Sequence, residues 1–202
     1  MKDKYSNQKI VLGIDRLDYI KGIPQKIAAF SNFLDEHPEY VEKVVLIQVA
    51  IPTRSDVDKY REIKSTVDEL VGRINGKYGT PTYLPVVMMH QSISKALLAA
   101  LYKTADVCMI TSSRDGMNLV ALEYMFLKGF SGEGRLIISE FAGASDSFID
   151  AQKINPWDIK KSAGSIFNAI SCKAKSCKIK DLKSSCAKHW AMRFVGKLNN
   201  LS

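Results

Sequence analysis

The stretch that most constrains the fold of this chain is VVLIQVA, residues 44–50, which is apolar along nearly its whole length. A strand that is buried on both faces has such a continuous apolar run, because neither face meets water. The run therefore predicts an inner strand of a sheet that is covered on both sides. What precedes and follows it decides which kind of sheet this is.

Strand-like and helical segments alternate along the chain. Strand-like runs occupy 9–14, 44–50, 83–89, 107–111 and 135–139, with a shorter edge strand at 152–155. Helical segments occupy 24–34, 56–74, 92–103, 118–127, 158–170 and 181–198. This alternation predicts an α/β fold, a Rossmann-like parallel sheet with helices on both faces. We expect an N-terminal extension at 1–8, one Rossmann-like domain at 9–170 and a lysine-rich C-terminal helical segment at 171–202.

Length and composition fit one globular domain, with or without an appendage. The chain has 202 residues, of which 46% are hydrophobic and 25% are charged. No apolar run reaches the roughly 20 residues of a membrane span, and the first residues lack the apolar core of a signal peptide. A cytoplasmic location without membrane contact is therefore expected.

The formal net charge of +8 comes partly from a cluster of lysines near the C-terminus. A solvated basic surface is the favoured interpretation, and the alternatives are an acidic partner or nucleic acid. No nucleic-acid-binding motif supports the last of these. The lysines are Lys173, Lys175, Lys178, Lys180, Lys183 and Lys188.

Two other features suggest ligands but have simpler interpretations. Cys172, Cys177, Cys186 and His189 could supply four zinc ligands, yet their spacing matches no common zinc motif. Reduced thiols are favoured, and no metal is predicted.

The glycine-rich segment GFSGEG, 129–134, resembles a phosphate loop, but it follows a helix and so falls on the wrong edge of the sheet. A tight surface loop is favoured there.

Ligands of open parallel sheets bind beyond the carboxyl ends of the strands. The turns expected at that edge carry the cations Arg16, Lys21, Arg54 and Arg114, together with glycine-containing motifs. The helix that begins near Asn118 adds free amides and a positive dipole end, which favour an anion. Together these features predict a diphosphate site. The first turn, GIDRLDYIKG, lacks the G-x-G-x-x-G of a nicotinamide enzyme.

Two acidic residues of this region each have two interpretations. Asp115 precedes Gly116, and Asp-Gly is a common turn pair, but its carboxylate could also grip sugar hydroxyls. Glu123 lies near the start of a helix, where the dipole favours a carboxylate by about 0.3–1 kcal/mol. Glu123 could instead accept hydrogen bonds from ribose hydroxyls, as acidic residues do in nucleotide-binding folds.

Six motifs in order resemble the trehalose-6-phosphate synthase family. They are GIDRLDYIKG (13–22), AIPTR (50–54), GRINGKYG (72–79), SRDGMNLVALEY (113–124), SEFAGA (139–144) and NPW (155–157). The resemblance covers about 9–170 and extends more loosely to the helix of Trp190 and Phe194. It implies the donor-binding domain of a retaining GT-B glycosyltransferase. Such an enzyme transfers glucose from UDP-glucose to glucose 6-phosphate, giving trehalose 6-phosphate and UDP, without metal or other cofactor.

The resemblance also implies roles for single residues. Arg16 and Lys21 would hold the diphosphate and stabilise the charge on departing UDP. Arg54 would reach the phosphate of glucose 6-phosphate, Ile93 would contact uracil through its backbone, and Glu123 would bind the ribose. The donor glucose would be held by Asp115 and the amides of Gly116, Met117 and Asn118, and the diphosphate by the amides of Leu119 and Val120.

The family has an amino-terminal domain that supplies most of the acceptor site, and no segment of this sequence matches it. The chain is therefore expected to be the donor-binding half, whether as a fragment, a split-gene product or a divergent copy. A full-length synthase or an amino-terminal half is the expected partner. The alternatives are a non-catalytic UDP-sugar-binding or regulatory partner of a synthase and, more weakly, an anion-binding scaffold whose basic tail contacts nucleic acid.

Overall fold

A parallel sheet forms the centre of the molecule. The computed structural model describes residues 4–53, 58–129, 134–171, 177–179 and 187–199. The strands are β1 (Lys9–Arg16), β2 (Val44–Ile51), β3 (Val86–Met89), β4 (Val107–Ile110), β5 (Arg135–Ser139), β6 (Phe148–Ile149), β7 (Gln152–Ile154) and β8 (Lys178–Ile179). Six of them lie parallel in the order β3-β2-β1-β4-β5-β7, while β6 and β8 form a separate antiparallel pair.

Helices connect the strands and cover both faces of the sheet. They are α1 (Ile23–Glu36), α2 (Asp58–Tyr78), α3 (Lys95–Thr104), α4 (Leu119–Gly129), α5 (Ile159–Ile170) and α6 (Ala187–Asn199). In α1, Ile23, Ile27, Phe30 and Leu34 follow the helical repeat and are all fully buried. Their spacing places them on one stripe, which packs against the sheet.

Two hydrophobic cores lie on opposite faces of the sheet. Val11 of β1 belongs to the core under α1, α2 and α5. Ile10 and Leu12 belong to the other core, which includes Leu101 of α3 and Ala121 of α4. Successive side chains of a strand point to opposite faces, so β1 supplies both cores. This explains why β1 and β2 are apolar almost throughout.

The predicted α/β fold, a parallel sheet with helices on both faces, is confirmed. Three element boundaries were placed wrongly by three residues or more. The helix predicted at 56–74 continues to Tyr78. The strand predicted at 83–89 begins at Val86, because Pro85 has no N–H for the ladder and Tyr83 forms a bridge with Thr80. The helix predicted at 92–103 begins at Lys95, after the capping residue Ser94.

The pairing of β6 with β8 was not predicted, since two-residue strands leave no periodic pattern. The last helix, predicted from 181, is described from Ala187 onwards, and 181–186 lie outside the described residues. The division of the chain at 8/9 and 170/171 stays a prediction. None of the described helices is long and apolar enough to cross a membrane.

Candidate functional site

The order of the sheet reverses between β1 and β4, which are neighbours. Connections leave these two strands in opposite directions, and the crevice between them is the usual ligand site of such sheets. The loop after β1, residues 17–22, and the turn after β4, residues 111–118, meet there. Both segments contain residues that the sequence predicted to bind a diphosphate and a sugar.

The loop 17–22 is held to the turn 111–118 by backbone and hydroxyl groups. Ser113 donates its N–H to the carbonyl of Ile20 at 2.8 Å, and Thr111 Oγ1 donates to the carbonyl of Gly22 at 2.8 Å. Gly22 has a φ of 65°, and a Cβ there would lie 1.9 Å from the Thr111 carbonyl oxygen. Only glycine fits this close approach, which fixes the loop that carries Lys21.

Lys21 and Asp115 form an ion pair across the crevice. Lys21 Nζ lies 2.7 Å from Asp115 Oδ2, and both side chains are largely buried. The same oxygen accepts hydrogen bonds from Asn118 Nδ2 at 3.0 Å and Ser112 Oγ at 3.3 Å. Burial raises the pKa of Asp115, but the bonds from Lys21 and Asn118 outweigh it and hold this pKa below its ordinary value. Asp115 is therefore ionised at neutral pH.

The amino end of α4 points into the same crevice. Asn118 has a left-handed φ of 70° and accepts a hydrogen bond from the Ala121 N–H through Oδ1 at 2.9 Å, so it caps the helix. The first amides of any α-helix have no acceptor inside the helix. Those of Leu119 and Val120 belong to this first turn. The side chains of Met117 and Leu119 are exposed.

The turn after β5 supports Asp115 from its other side. Asp115 donates its N–H to the Phe141 carbonyl at 3.2 Å, and its own carbonyl accepts from the Gly143 N–H at 3.0 Å. A Cβ on Gly143 would lie 2.2 Å from the Gly116 carbonyl oxygen. The SEFAGA motif thus has a structural reason for its glycine. Three neighbouring strand ends together fix the backbone around Asp115.

Glu123 lies one turn further along α4 and is exposed. Its Oε2 accepts a hydrogen bond from the hydroxyl of Tyr102 on α3 at 3.0 Å. Burial raises the pKa of Tyr102 well above its ordinary value, and the neighbouring Glu123 raises it further. Tyr102 therefore stays protonated and acts as a donor. The sequence analysis did not find Tyr102, because nothing along the chain marks which side chain faces Glu123.

The remaining predicted residues are less closely grouped. Arg16 is the last residue of β1 and is exposed. Ile93 lies in the turn between β3 and α3 and packs partly against the core. Arg114 is exposed between Ser113 and Asp115. Arg54 lies outside the described residues, so its predicted contact with a sugar phosphate stays a prediction.

A buried polar cluster that the sequence analysis missed lies beneath the loop 17–22. Lys26 Nζ lies 2.5 Å from Asp15 Oδ2, and the two side chains are 0% and 1% exposed. Gln48 donates to the same oxygen at 3.0 Å. Two features of the sequence could have revealed this cluster: a lysine on the apolar stripe of α1 and a glutamine inside VVLIQVA. This pair links β1 to α1, and the chain segment between the two residues contains Arg16 and Lys21.

Residues 1–200 match the sequence profile described as "Glycosyltransferase family 20". The chain belongs to glycosyltransferase family 20. The predicted resemblance to trehalose-6-phosphate synthases is confirmed, since proteins of that name are among the similar proteins and the similar solved structures.

Two fungal relatives illustrate the similarity within family 20. The chain is 46% identical over 199 residues to the UDP-forming alpha,alpha-trehalose-phosphate synthase of Schizosaccharomyces pombe, covering 96% of this chain and 39% of that protein. It is 51% identical over 158 residues to the synthase of the same name from Candida albicans, covering 78% of this chain and 33% of that protein.

Solved structures of bacterial trehalose-phosphate synthases share the fold. A synthase from Burkholderia xenovorans in complex with glucose-6-phosphate superposes with a TM-score of 0.81 at 36% identity, covering 84% of this chain and 38% of that one. A synthase from Burkholderia multivorans superposes with a TM-score of 0.90 at 32% identity, covering 99% and 44%. The chain spans less than half the length of each of these fungal and bacterial relatives.

The described part of this family 20 chain contains no group of three or more metal-ligating side chains. Cys108 and Cys177 are buried free thiols, and burial raises the pKa of each to about 12. Cys172 and Cys186 of the considered zinc set lie outside the described residues, as do 130–133 of the glycine-rich segment. Lys178 and Lys188 are exposed, and the other lysines of the C-terminal cluster lie outside the described ranges.

Proposed function

We propose that this chain carries the donor-binding half of a trehalose-6-phosphate synthase. The complete enzyme would transfer glucose from UDP-glucose to glucose 6-phosphate and release UDP. The observation that carries the proposal is the Lys21–Asp115 pair, 2.7 Å apart, beside the amino end of α4. The cation and the helix amides suit a phosphate, and the carboxylate suits sugar hydroxyls. Together in one crevice they suit a phosphorylated sugar better than a phosphate alone or a sugar alone.

The diphosphate would lie against the amino end of α4. The amides of Leu119 and Val120 and the helix dipole favour negative charge there. A lysine ammonium has three N–H donors, so Lys21 keeps two for phosphate oxygens while it donates to Asp115. Arg16, at the end of β1, would supply the second cation.

The sugar and the nucleoside would bind on either side of the diphosphate. The Asp115 carboxylate and the backbone amides of Gly116, Met117 and Asn118 would hold hydroxyls of the donor glucose. Glu123, one turn further along α4, would accept hydrogen bonds from the ribose. The backbone of Ile93 would contact uracil.

Departure of UDP concentrates negative charge on the β-phosphate. Fixed donors aimed at such developing charge lower the barrier by about 3–4 kcal/mol each in other enzymes. Arg16 and Lys21 would provide this stabilisation. The acceptor hydroxyl would lose its proton to the departing phosphate oxygen as the new glycosidic bond forms, so that no protein nucleophile takes part.

Arg54 is proposed to bind the phosphate of glucose 6-phosphate. The cytoplasmic location stays a prediction.

A second candidate is a binding or regulatory partner of a full-length synthase. It is favoured by one observation, that the Lys21–Asp115 pair and the amino end of α4 both belong to this chain, so that a donor site would need no other part of a synthase. A donor site alone would bind UDP-glucose without transferring glucose. Both candidates need the same donor site, so binding must be tested before catalysis.

Calorimetric titration with UDP and with uridine tests the site. We expect Arg16→Ala and Lys21→Ala each to weaken UDP binding by about 1.5–3 kcal/mol, the range for hydrogen bonds to charged groups, while uridine binding changes far less. Lys9→Ala is the matched control, because Lys9 pairs with Asp106 at the opposite end of β1. Equal losses for UDP and uridine, or no binding of UDP by the unaltered chain, would contradict the proposal.

A further inference from the structure

We propose that Tyr102 is a positioning residue that orients the Glu123 carboxylate toward the ribose hydroxyls of the donor. This inference rests on the proposed function, because it needs Glu123 to bind a nucleoside. It adds a residue outside the ligand crevice, on a different helix, to the machinery that selects ribose. The argument depends on one hydrogen bond and on the burial of its donor.

The phenol of Tyr102 is firmly placed. Its side chain is buried, with 2% exposure, in the core between α3, α4 and the sheet. The ring lies edge-on to that of Tyr124, with the ring centroids 6.2 Å apart. A buried aromatic ring has few rotamers, so the hydroxyl has one position, 3.0 Å from Glu123 Oε2. Glu123, by contrast, is exposed.

The hydrogen bond has one direction. Burial raises the pKa of the Tyr102 phenol, so the hydroxyl keeps its proton at neutral pH and donates it to Glu123 Oε2. A carboxylate offers about four lone-pair directions on its two oxygens. One bond from Tyr102 leaves acceptor capacity for two ribose hydroxyls. An exposed glutamate without this donor would sample several rotamers, and binding would have to order it.

A purely structural role for the hydroxyl makes different predictions. A buried tyrosine donates its hydroxyl somewhere in most proteins, and Tyr124 does so to the carbonyl of Asp106 at 3.3 Å. If Tyr102 only satisfied its own hydroxyl, its loss would affect stability and would affect all ligands alike. If it positions Glu123, its loss should affect those ligands that carry ribose hydroxyls.

The experiment compares UDP with 2′,3′-dideoxy-UDP in calorimetric titrations. Tyr102→Phe removes the hydroxyl and keeps the ring. Tyr124→Phe is the matched control, because it removes the hydroxyl of the neighbouring buried tyrosine, which donates to the Asp106 carbonyl, whereas that of Tyr102 donates to Glu123. We expect Tyr102→Phe to weaken UDP binding about five- to tenfold, with less than about a twofold change for the dideoxy ligand. Tyr124→Phe should leave the ratio of the two affinities unchanged.

A double-variant cycle separates positioning from packing. In a Glu123→Gln background the effect of Tyr102→Phe on the ratio of the two affinities should disappear. The proposal is overturned if Tyr102→Phe still changes the ratio of the two affinities in the Glu123→Gln background. It is also overturned if Tyr102→Phe alone weakens the binding of both ligands equally, leaves UDP binding unchanged, or does not fold. If Glu123→Gln itself fails to change the ratio, the proposed ribose contact is wrong. If the unaltered chain binds neither ligand, the proposed donor site is wrong.

Discussion

Asp115 joins the two sides of the candidate site through one carboxylate oxygen. That oxygen accepts from Lys21, Asn118 and Ser112. Lys21 comes from the loop after β1, and the other two come from the turn after β4. We therefore expect the loss of this negative charge to affect the relative placement of two chain segments.

Asp115→Asn should lower the free energy of unfolding at pH 7 by about 1.5–3 kcal/mol. The pKa of Asp115 is lowered in the folded chain. Its contribution is therefore complete above the unfolded value of about 3.9 and is lost as the pH falls through the folded value. The difference between Asp115→Asn and the unaltered chain should shrink below about pH 4. Urea unfolding at pH 7 and near pH 3 measures it.

The exposed Asp58 provides the control for this pH series. Its side chain is 89% exposed, and it pairs only loosely with Arg61, at 3.6 Å. Asp58→Asn should change the stability within about 0.5 kcal/mol at both pH values. A loss in Asp115→Asn that is equally large in acid and at neutral pH would show that the ionised form is not what matters.

The buried Lys26–Asp15 pair leads to a second expectation for single residues. Lys26→Met should lower the free energy of unfolding by about 3–5 kcal/mol, because it leaves the Asp15 carboxylate buried without its counter-charge. The double change Asp15→Asn with Lys26→Met should restore most of this loss. Lys9→Met, which breaks the exposed pair with Asp106, should cost less than about 1 kcal/mol. Equal losses in Lys26→Met and Lys9→Met would contradict this account.

The sequence singled out Lys21, Asp115 and Asn118, which the structure brings together at the candidate site, but not the groups that hold the neighbouring segments in place. Asp115 and Glu123 could be singled out because a turn motif and a helix start are visible along the chain, although each residue also had a purely structural interpretation. Lys26 and Tyr102 act through partners distant in the chain, Asp15 on β1 and Glu123 on α4. Which side chains meet across two elements depends on packing, and no local pattern encodes it.

At the level of elements, the loop between β1 and α1 must pass close to the end of β4. Gly22→Ala should destabilise the chain by at least about 1–2 kcal/mol from the left-handed φ alone, with a further loss from the contact with the Thr111 carbonyl. It should also weaken UDP binding, because Lys21 is the preceding residue. Thermal unfolding and UDP titration measure the two effects.

Gly76 is the matched control for Gly22. It lies in α2, and apart from its chain neighbours and the nearby backbone of α2 itself, no described residue comes within 4 Å of a Cβ placed there. Gly76→Ala should stabilise the chain by about 0.5–1 kcal/mol, because alanine loses less backbone freedom in a helix. If both alanine variants shifted the melting temperature in the same direction, the close approach at Gly22 would not be the cause.

The elements themselves were predictable where apolar patterns are long. β1 and β2 are eight residues each and gave unambiguous runs. Errors occurred where a few local bonds decide the boundary. Pro85 delays the start of β3, and Ser94, which accepts from the Leu97 N–H at 3.2 Å, delays the start of α3. β6 and β8 have two residues each, too few for a periodic pattern, so their pairing is visible only in the fold.

At the level of the whole molecule, the chain alone should bind UDP and transfer almost no glucose. Positioning two reactants correctly can lower a reaction barrier by about 7–11 kcal/mol. The relatives are more than twice as long as the part this chain matches, and we expect the rest of their length to be needed to position the acceptor. Adding the amino-terminal portion of a relative as a separate chain should restore transfer. The assay measures UDP release with and without glucose 6-phosphate and identifies the sugar product by mass.

Two comparisons make this assay decisive. The Lys21→Ala chain mixed with the same amino-terminal portion should stay inactive, which excludes activity of the added portion by itself. Rapid UDP release by the unaltered chain alone, dependent on glucose 6-phosphate, would mean that the acceptor site is built from this chain. Restored activity would also decide against the purely regulatory alternative.

The order of strands in the sheet also determines when this site can first exist. Lys21 and Asp115 are 94 positions apart in the chain, and they meet only once β4 has docked beside β1. Contacts between such distant segments form slowly, since a long loop must close before they gain anything. During synthesis, β1 and β2 can pair while the second part of the crevice is still inside the ribosome. A nucleotide that binds the finished crevice can therefore act only after β4 has docked beside β1. It would slow the unfolding of the completed site and would have no effect on the early steps of folding.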